Sequence, residues 1–207
     1  MRALHLITAI LLVFQSGIGG LACGTAAPRE PRVRIEHFKG TVMNAARLLS
    51  REHNVPVSIV EDTRDPGVEL NRVDATPVDL LRDLARLSGV YRFESIDGHF
   101  VLYPDDPAFQ SLVNDVHIEK EERGDAIGHL LEHLRAHAPS LPPIYGPASV
   151  VVGNTGSLFS APVTLKSRDT AIRLLVQLLG TDQGVFFVVY KHEKYPLTMT
   201  LGSVGDV

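Results

Sequence analysis

Cysteine is almost absent from this 207-residue chain: Cys23 is the only one, so no disulfide can close within it and no cysteine-cluster zinc site can be built. Tryptophan is missing altogether, which removes the indole platform on which bases and sugars stack. A positive charge excess is lacking too. Lys plus Arg number 20 against 24 for Asp plus Glu, a formal charge of −4, so electrostatics give no reason to expect a nucleic-acid partner. The apolar stretch from Leu6 to Phe14, broken by Thr8, falls short of the roughly 20 residues that span a bilayer. No Gly-x-Ser-x-Gly elbow is present to support a serine hydrolase. What is present, 44% hydrophobic and 21% charged residues, suits one large domain or two small ones and excludes collagen-like and disordered classes.

The first residues read as an address. Met1-Arg2 gives a short basic start, Leu6 to Phe14 a greasy middle, and Ser16 to Gly24 a small-residue end, the three parts of an export signal over residues 1–22. Gly17 and Gly19-Gly20 argue against a buried N-terminal helix in the same place. Gly20-Leu21-Ala22-Cys23 resembles the lipobox of bacterial lipoproteins. That resemblance implies cleavage before Cys23 and acylation of its thiol, although Gly20 stands where the family usually carries Leu. Ordinary secretory cleavage after Ala22 or Gly24 is the alternative. The expectation is a periplasmic protein anchored through Cys23, or else a secreted one.

Behind the leader, one order of elements recurs. Val33-Arg34-Ile35-Glu36 is matched by Val116-His117-Ile118-Glu119, and each is followed by a turn and a helix start, with Thr41 and Asp125 as expected N-caps. Val78, Leu81 and Leu84 are matched by Ile172, Leu175 and Leu178, 94 residues further on. The spacing predicts strand 33–38, helix 42–53, strands 55–60 and 68–73, helix 77–88 and a hairpin over 90–103. The second set is strand 116–120, helix 126–137, a Pro-rich insertion at Pro142-Pro143 and Pro147, strands 149–152 and 158–166, helix 170–179, and strands 184–190 and 195–201. The fold class expected is α+β: two tandem βαββαβ-type units, 30–104 and 116–203, joined by a linker over 105–115 and packed on each other, since units of this size are marginal alone.

Asp97-Gly98 suits a two-residue type I′ turn, which would set Ser95 opposite Phe100 and Phe93 opposite Leu102. Alternation then puts Tyr91, Phe93, Phe100 and Leu102 on one face, expected to be core. Arg92, Glu94 and His99 fall on the other, expected to be wet.

The run Val68 to Leu84, then Gly89-Val90-Tyr91-Arg92-Phe93 and Gly98-His99-Phe100-Val101-Leu102-Tyr103-Pro104, resembles the short N-terminal domain of secretins and TonB-dependent receptors. Residues 33–104 carry the likeness well and 116–201 weakly, because the second set has the Pro-rich insertion and no Asp-Gly turn. The resemblance implies a non-enzymatic, periplasmic docking unit without cofactor, whose partners are envelope proteins such as secretin or TonB-system components. Those families continue into a membrane β-barrel, so this chain is expected to be a stand-alone version serving a machine made by another polypeptide.

One pattern argues for chemistry instead. His129-Leu130-Leu131-Glu132-His133 has the His-x-x-Glu-His order of inverted zinc peptidases, and His137 continues the step of four, the basis of an alternative reading as a metal-binding protein or metal-dependent hydrolase. At roughly 100° per residue, however, these imidazoles fall away from the stripe of Ile127, Leu130, Leu131 and Leu134, toward solvent. Gly153-Asn154-Thr155-Gly156-Ser157 lacks the Lys of a phosphate-binding loop and reads as a turn. Glu61, Asp62 and Asp65 lack EF-hand spacing, and Asp65-Pro66-Gly67 reads as a β-turn.

Overall fold

Thr41, the last residue of a strand, and Thr76, the residue after one, each open a helix. Thr41 Oγ1 accepts from the Asn44 N–H at 3.2 Å and Thr76 Oγ1 from the Asp79 N–H at 3.1 Å, which starts α1 (Val42–His53) and α2 (Pro77–Ser88). Pro77 sits at the first helical position, where no intrahelical N–H bond is forgone. The computed structural model describes residues 31–141, 149–150, 159–180, 185–189 and 198–202. The expected leader with Cys23, the prolines 142, 143 and 147, and the turn expected at Gly153–Ser157 lie outside them.

The remaining elements follow in order: β1 (Val33–Thr41) before α1, β2 (Val57–Val60) and β3 (Gly67–Ala75) between the helices, then β4 (Tyr91–Ile96) and β5 (His99–Pro104). After a single-turn helix α3 (Pro107–Gln110) come β6 (Val113–Glu122), α4 (Arg123–Arg135), β7 (Ser149–Val150), β8 (Pro162–Thr170), α5 (Ala171–Leu179), β9 (Val185–Val189) and β10 (Thr198–Gly202). The class is α+β. Among the described residues no helix is long and apolar enough to cross a membrane.

The strand pairing repeats. β1 pairs with β3 and β6 with β8 as separate antiparallel ribbons, while β4-β5-β2-β9-β10-β7 form one sheet. Within it β5 lies antiparallel to β4 and parallel to β2, and β10 lies antiparallel to β9 and parallel to β7. β2 meets β9 in parallel, with Ile59 level with Phe187 and Val60 with Val188. Even the irregularities recur: β1 shifts register after Ile35, with His37 at φ 54°, and β6 shifts after Ile118, with Lys120 at φ 53°. Residues 31 to 207 cluster as one compact unit, with the sheet running through both sets of elements.

Two apolar clusters flank the first three strands of that sheet. Val57, Ile59, Tyr91 and Leu102 pack with Val42, Leu49, Leu80, Leu81 and Leu84 from α1 and α2. Val60, Ile96, Val101 and Tyr103 pack on the opposite side with Phe109 of α3, Ile127 and Leu131 of α4, and Ile172 and Leu175 of α5. The hairpin register is the one that Asp97-Gly98 dictates, Ser95 with Phe100 and Phe93 with Leu102, and both turn residues have positive φ. The expected wet face is a correction. His99 is buried, and Glu94 accepts an ion-paired hydrogen bond from Arg173 of α5 at 2.9 Å, because a second helical layer covers that side. Only Arg92 stays exposed there, paired with Asp105 at 2.8 Å.

The helix that opens the second set also starts earlier than expected. β6 runs on to Glu122 and the Arg123 N–H donates to the Ala161 carbonyl at 3.0 Å, so α4 begins at Arg123 and Asp125 lies inside its first turn, capping nothing. Residues 105–115, expected as a linker, hold α3 and the start of β6. Asp106 caps α3 through the Ala108 N–H at 2.9 Å and seats Phe109, fully buried, against Tyr103 with ring centres 5.8 Å apart.

Candidate functional site

α4 ends at Arg135, short of the expected 137, so His129 and His133 stand on its outer side and His137 lies in the turn that follows. Ile127, Leu130, Leu131 and Leu134 are buried, while His129, Glu132, His133 and His137 are exposed. His129 Nδ1 lies 2.6 Å from Glu121 Oε1 of β6, and the His133 and His137 rings tilt against each other with centres 5.6 Å apart. His129 and His133 border a groove of about 290 Å³ between β6 and α4, shared with Val116, His117, Ile118 and Leu130. Among the described residues no group of three His, Cys, Asp or Glu side chains is placed to hold a metal ion. His129 turns to Glu121, His133 lies on the last turn of α4 and His137 in the turn beyond it, so the three do not converge.

The carboxylates of residues 61–65 do structural work. Asp62, with no exposed side-chain surface, accepts from the Arg64 backbone N–H at 2.8 Å and from its guanidinium at 2.8 and 2.6 Å. Asp65 accepts from the Val42 and Met43 N–H groups at 3.1 and 3.4 Å, a second cap on α1. Burial holds its carboxyl above the ordinary range, against the lowering effect of those same bonds. Between these two aspartates, Thr63 donates through both N–H and hydroxyl to the Ser140 carbonyl at 3.2 Å, and Ser140 Oγ donates to Asp106 at 2.9 Å. The turn is a tie between the first set of elements and the end of the second set's first helix.

Inside the sheet, Ser58 of β2 and His99 of β5 share a hydrogen bond of 2.6 Å, both side chains buried. His99 Nδ1 is buried with no hydrogen-bond partner. Burial alone drives the imidazole down to about 4, so at neutral pH it is uncharged. The chain offered one sign of this pair, a serine inside the otherwise apolar Val57-Ser58-Ile59-Val60. Nothing in the sequence placed His99 beside it.

The surfaces open to another chain are strand edges. The ribbons β1–β3 and β6–β8 stand apart from the six-stranded sheet, and among the described residues neither has a further strand along its outer edges. Of the three large apolar side chains that stay exposed among the described residues, Val73 lies on β3 and Val113 on β6, at 59% and 51%. Charged residues surround them: Lys39 pairs with Glu69 across the first ribbon at 2.6 Å, and Arg72 reaches Asp83 of α2 at 2.7 Å. Comparison with protein-family models, with curated proteins and with solved structures finds no match to this chain.

Proposed function

We propose that this is a non-enzymatic docking protein of the bacterial envelope, exported by its leader, held at a membrane through acylated Cys23, and accessory to a secretin or TonB-linked system. The observation that carries the docking half is the pair of ribbons. Each is two strands wide, nine or ten residues long, and offers backbone donors and acceptors to an extended segment of a partner, with Val73 and Val113 as apolar footholds beside them. The resemblance of residues 33–104 to the short N-terminal domain of secretins and TonB-dependent receptors supports the same reading. So does the lipobox-like Gly20–Cys23 for the anchor.

Capture from envelope extracts tests the docking. The purified protein should retain a specific envelope protein, and a variant carrying Val73→Lys and Val113→Lys, both changes on exposed positions, should retain much less of it. Equal retention by the two would remove the ribbons from the account, and no specific retention would remove docking. For the anchor, Cys23→Ser should shift the protein from the membrane to the soluble fraction, and unchanged partitioning would favour plain secretion.

A further inference from the structure

The groove beside α4 runs along the outer edge of β6. Five consecutive residues of that strand line it, Asn114 to Ile118, and successive side chains of a strand point to opposite faces. A cavity reaches both kinds only from the edge of the strand. The other edge is taken by β8, none of whose described residues lines the groove. Its floor is apolar, Val116 and Ile118 from β6 with Ala126 and Leu130 from α4. We infer that this groove takes an extended peptide segment as a third strand along residues 114–118, with apolar side chains turned in toward α4 and Lys or Arg turned out. The inference rests on the docking reading above and gives it a place and a partner chemistry.

β8 shows what β6 accepts. Where the two pair, buried Ile118 is level with Leu165, and the exposed Asp115 and His117 are level with Arg168 and Lys166. A strand on the opposite edge meets the same β6 residues, so the same pattern suits it: opposite charges side by side on a sheet face stabilise the pairing and like charges weaken it. The charge of the groove agrees. Asp115 and Glu121 line it, and among its described lining residues there is no Lys or Arg. Glu121 is engaged by His129, whereas Asp115 makes no ion pair among the described residues. A charge on an open edge discourages indiscriminate pairing, and here the guard is an acid, which a cation satisfies. The register shift after Ile118, with Lys120 at φ 53°, ends the open stretch. The first ribbon lacks this bias, since Arg34 and Lys39 on β1 are paired with Glu36 and Glu69.

The test uses two short synthetic peptides, blocked at both ends and fluorescently labelled, one alternating Val with Lys and the other alternating Val with Glu. Binding to the purified protein is read by fluorescence anisotropy at physiological ionic strength, and its place by the backbone amide shifts of isotope-labelled protein. The Val-Lys peptide should bind, the Val-Glu peptide about tenfold more weakly, and the shifts should gather in residues 114–118 and 126–133. Asp115→Lys, at an exposed position, should weaken the Val-Lys peptide about tenfold and reverse the preference. Asp115→Asn, which sets no like charge beside Arg168, should fall between the two. Glu52→Lys, the same change of charge on the exposed side of α1, should leave binding by both peptides as it was. No binding of the Val-Lys peptide, equal binding of the two, an equal effect of Glu52→Lys, or shifts confined to β1 and β3 would overturn the inference. Specific capture of an envelope protein alongside any of those results would leave docking standing and remove this site from it, so the two failures are read apart.

Discussion

Acidification should weaken this fold through His99 in a way that can be isolated. The imidazole is held at about 4 by burial, against the ordinary 6.5 that it would regain on unfolding. Between these values the unfolded chain binds a proton that the folded chain does not, so stability is fully present above 6.5 and falls as pH drops toward 4. At about 1.4 kcal/mol for each pH unit, the loss from this side chain is on the order of 3 kcal/mol. A second, half-buried group acts the other way: Asp65 is raised, so its contribution rises as pH falls. The assay is urea unfolding at a series of pH values from 7 to 4, on wild type and on His99→Gln, which cannot titrate. Gln should lower stability at pH 7, where it disturbs the Ser58 bond, yet lose less stability than wild type on acidification, the curves converging by that same 3 kcal/mol. Parallel curves would show that His99 titrates normally and is not sealed inside the sheet.

Two further substitutions address the packing and the turn. Phe109→Ala should cost about 3–5 kcal/mol in the same unfolding assay, since a fully buried ring is deleted from the cluster under α4 and α5; a loss under 1 kcal/mol would mean that α3 is peripheral. Gly98→Ala should cost about 1–2 kcal/mol, because Gly98 has φ +81° and an added Cβ meets nothing within 4 Å, leaving backbone conformation as the whole penalty. No change in the unfolding midpoint would show that the turn is not of the two-residue type.

Much of the architecture was legible because its signals are local. Helix α1 was expected over 42–53 and α2 over 77–88, and both occupy those residues, since Thr41, Thr76 and Pro77 are chemical start signals beside strong helical periodicity. The hairpin register follows from Asp97-Gly98 in the same way. What the sequence did not disclose is non-local. His99 and Glu94 alternate with core residues as solvent-facing side chains would, and it takes distant partners to remove them from water, Arg173 of α5 for Glu94 and Ser58 of β2 for His99. Phe109 sits in a stretch whose Asp105-Asp106-Pro107 reads as a loop, yet Asp106 is a helix cap. Asp125 carries the chemistry of a cap, but the bulge at Lys120 lets β6 continue to Glu122, past the strand end that the alternation to 120 predicts. For the site, the outward position of His129 and His133 follows from their angle to the leucine stripe, whereas the end of the helix before His137 and the pairing of His129 with Glu121 beside β6 are not local signals.

The docking account is tested most directly by placing a photo-crosslinking amino acid at Val73 or Val113 in the full chain, within living cells, and at the exposed helix position Arg51 as a control. The account predicts that irradiation yields one discrete adduct with an envelope protein from the ribbon positions and none from Arg51. Adducts absent from both ribbons, or equal at all three positions, would contradict it.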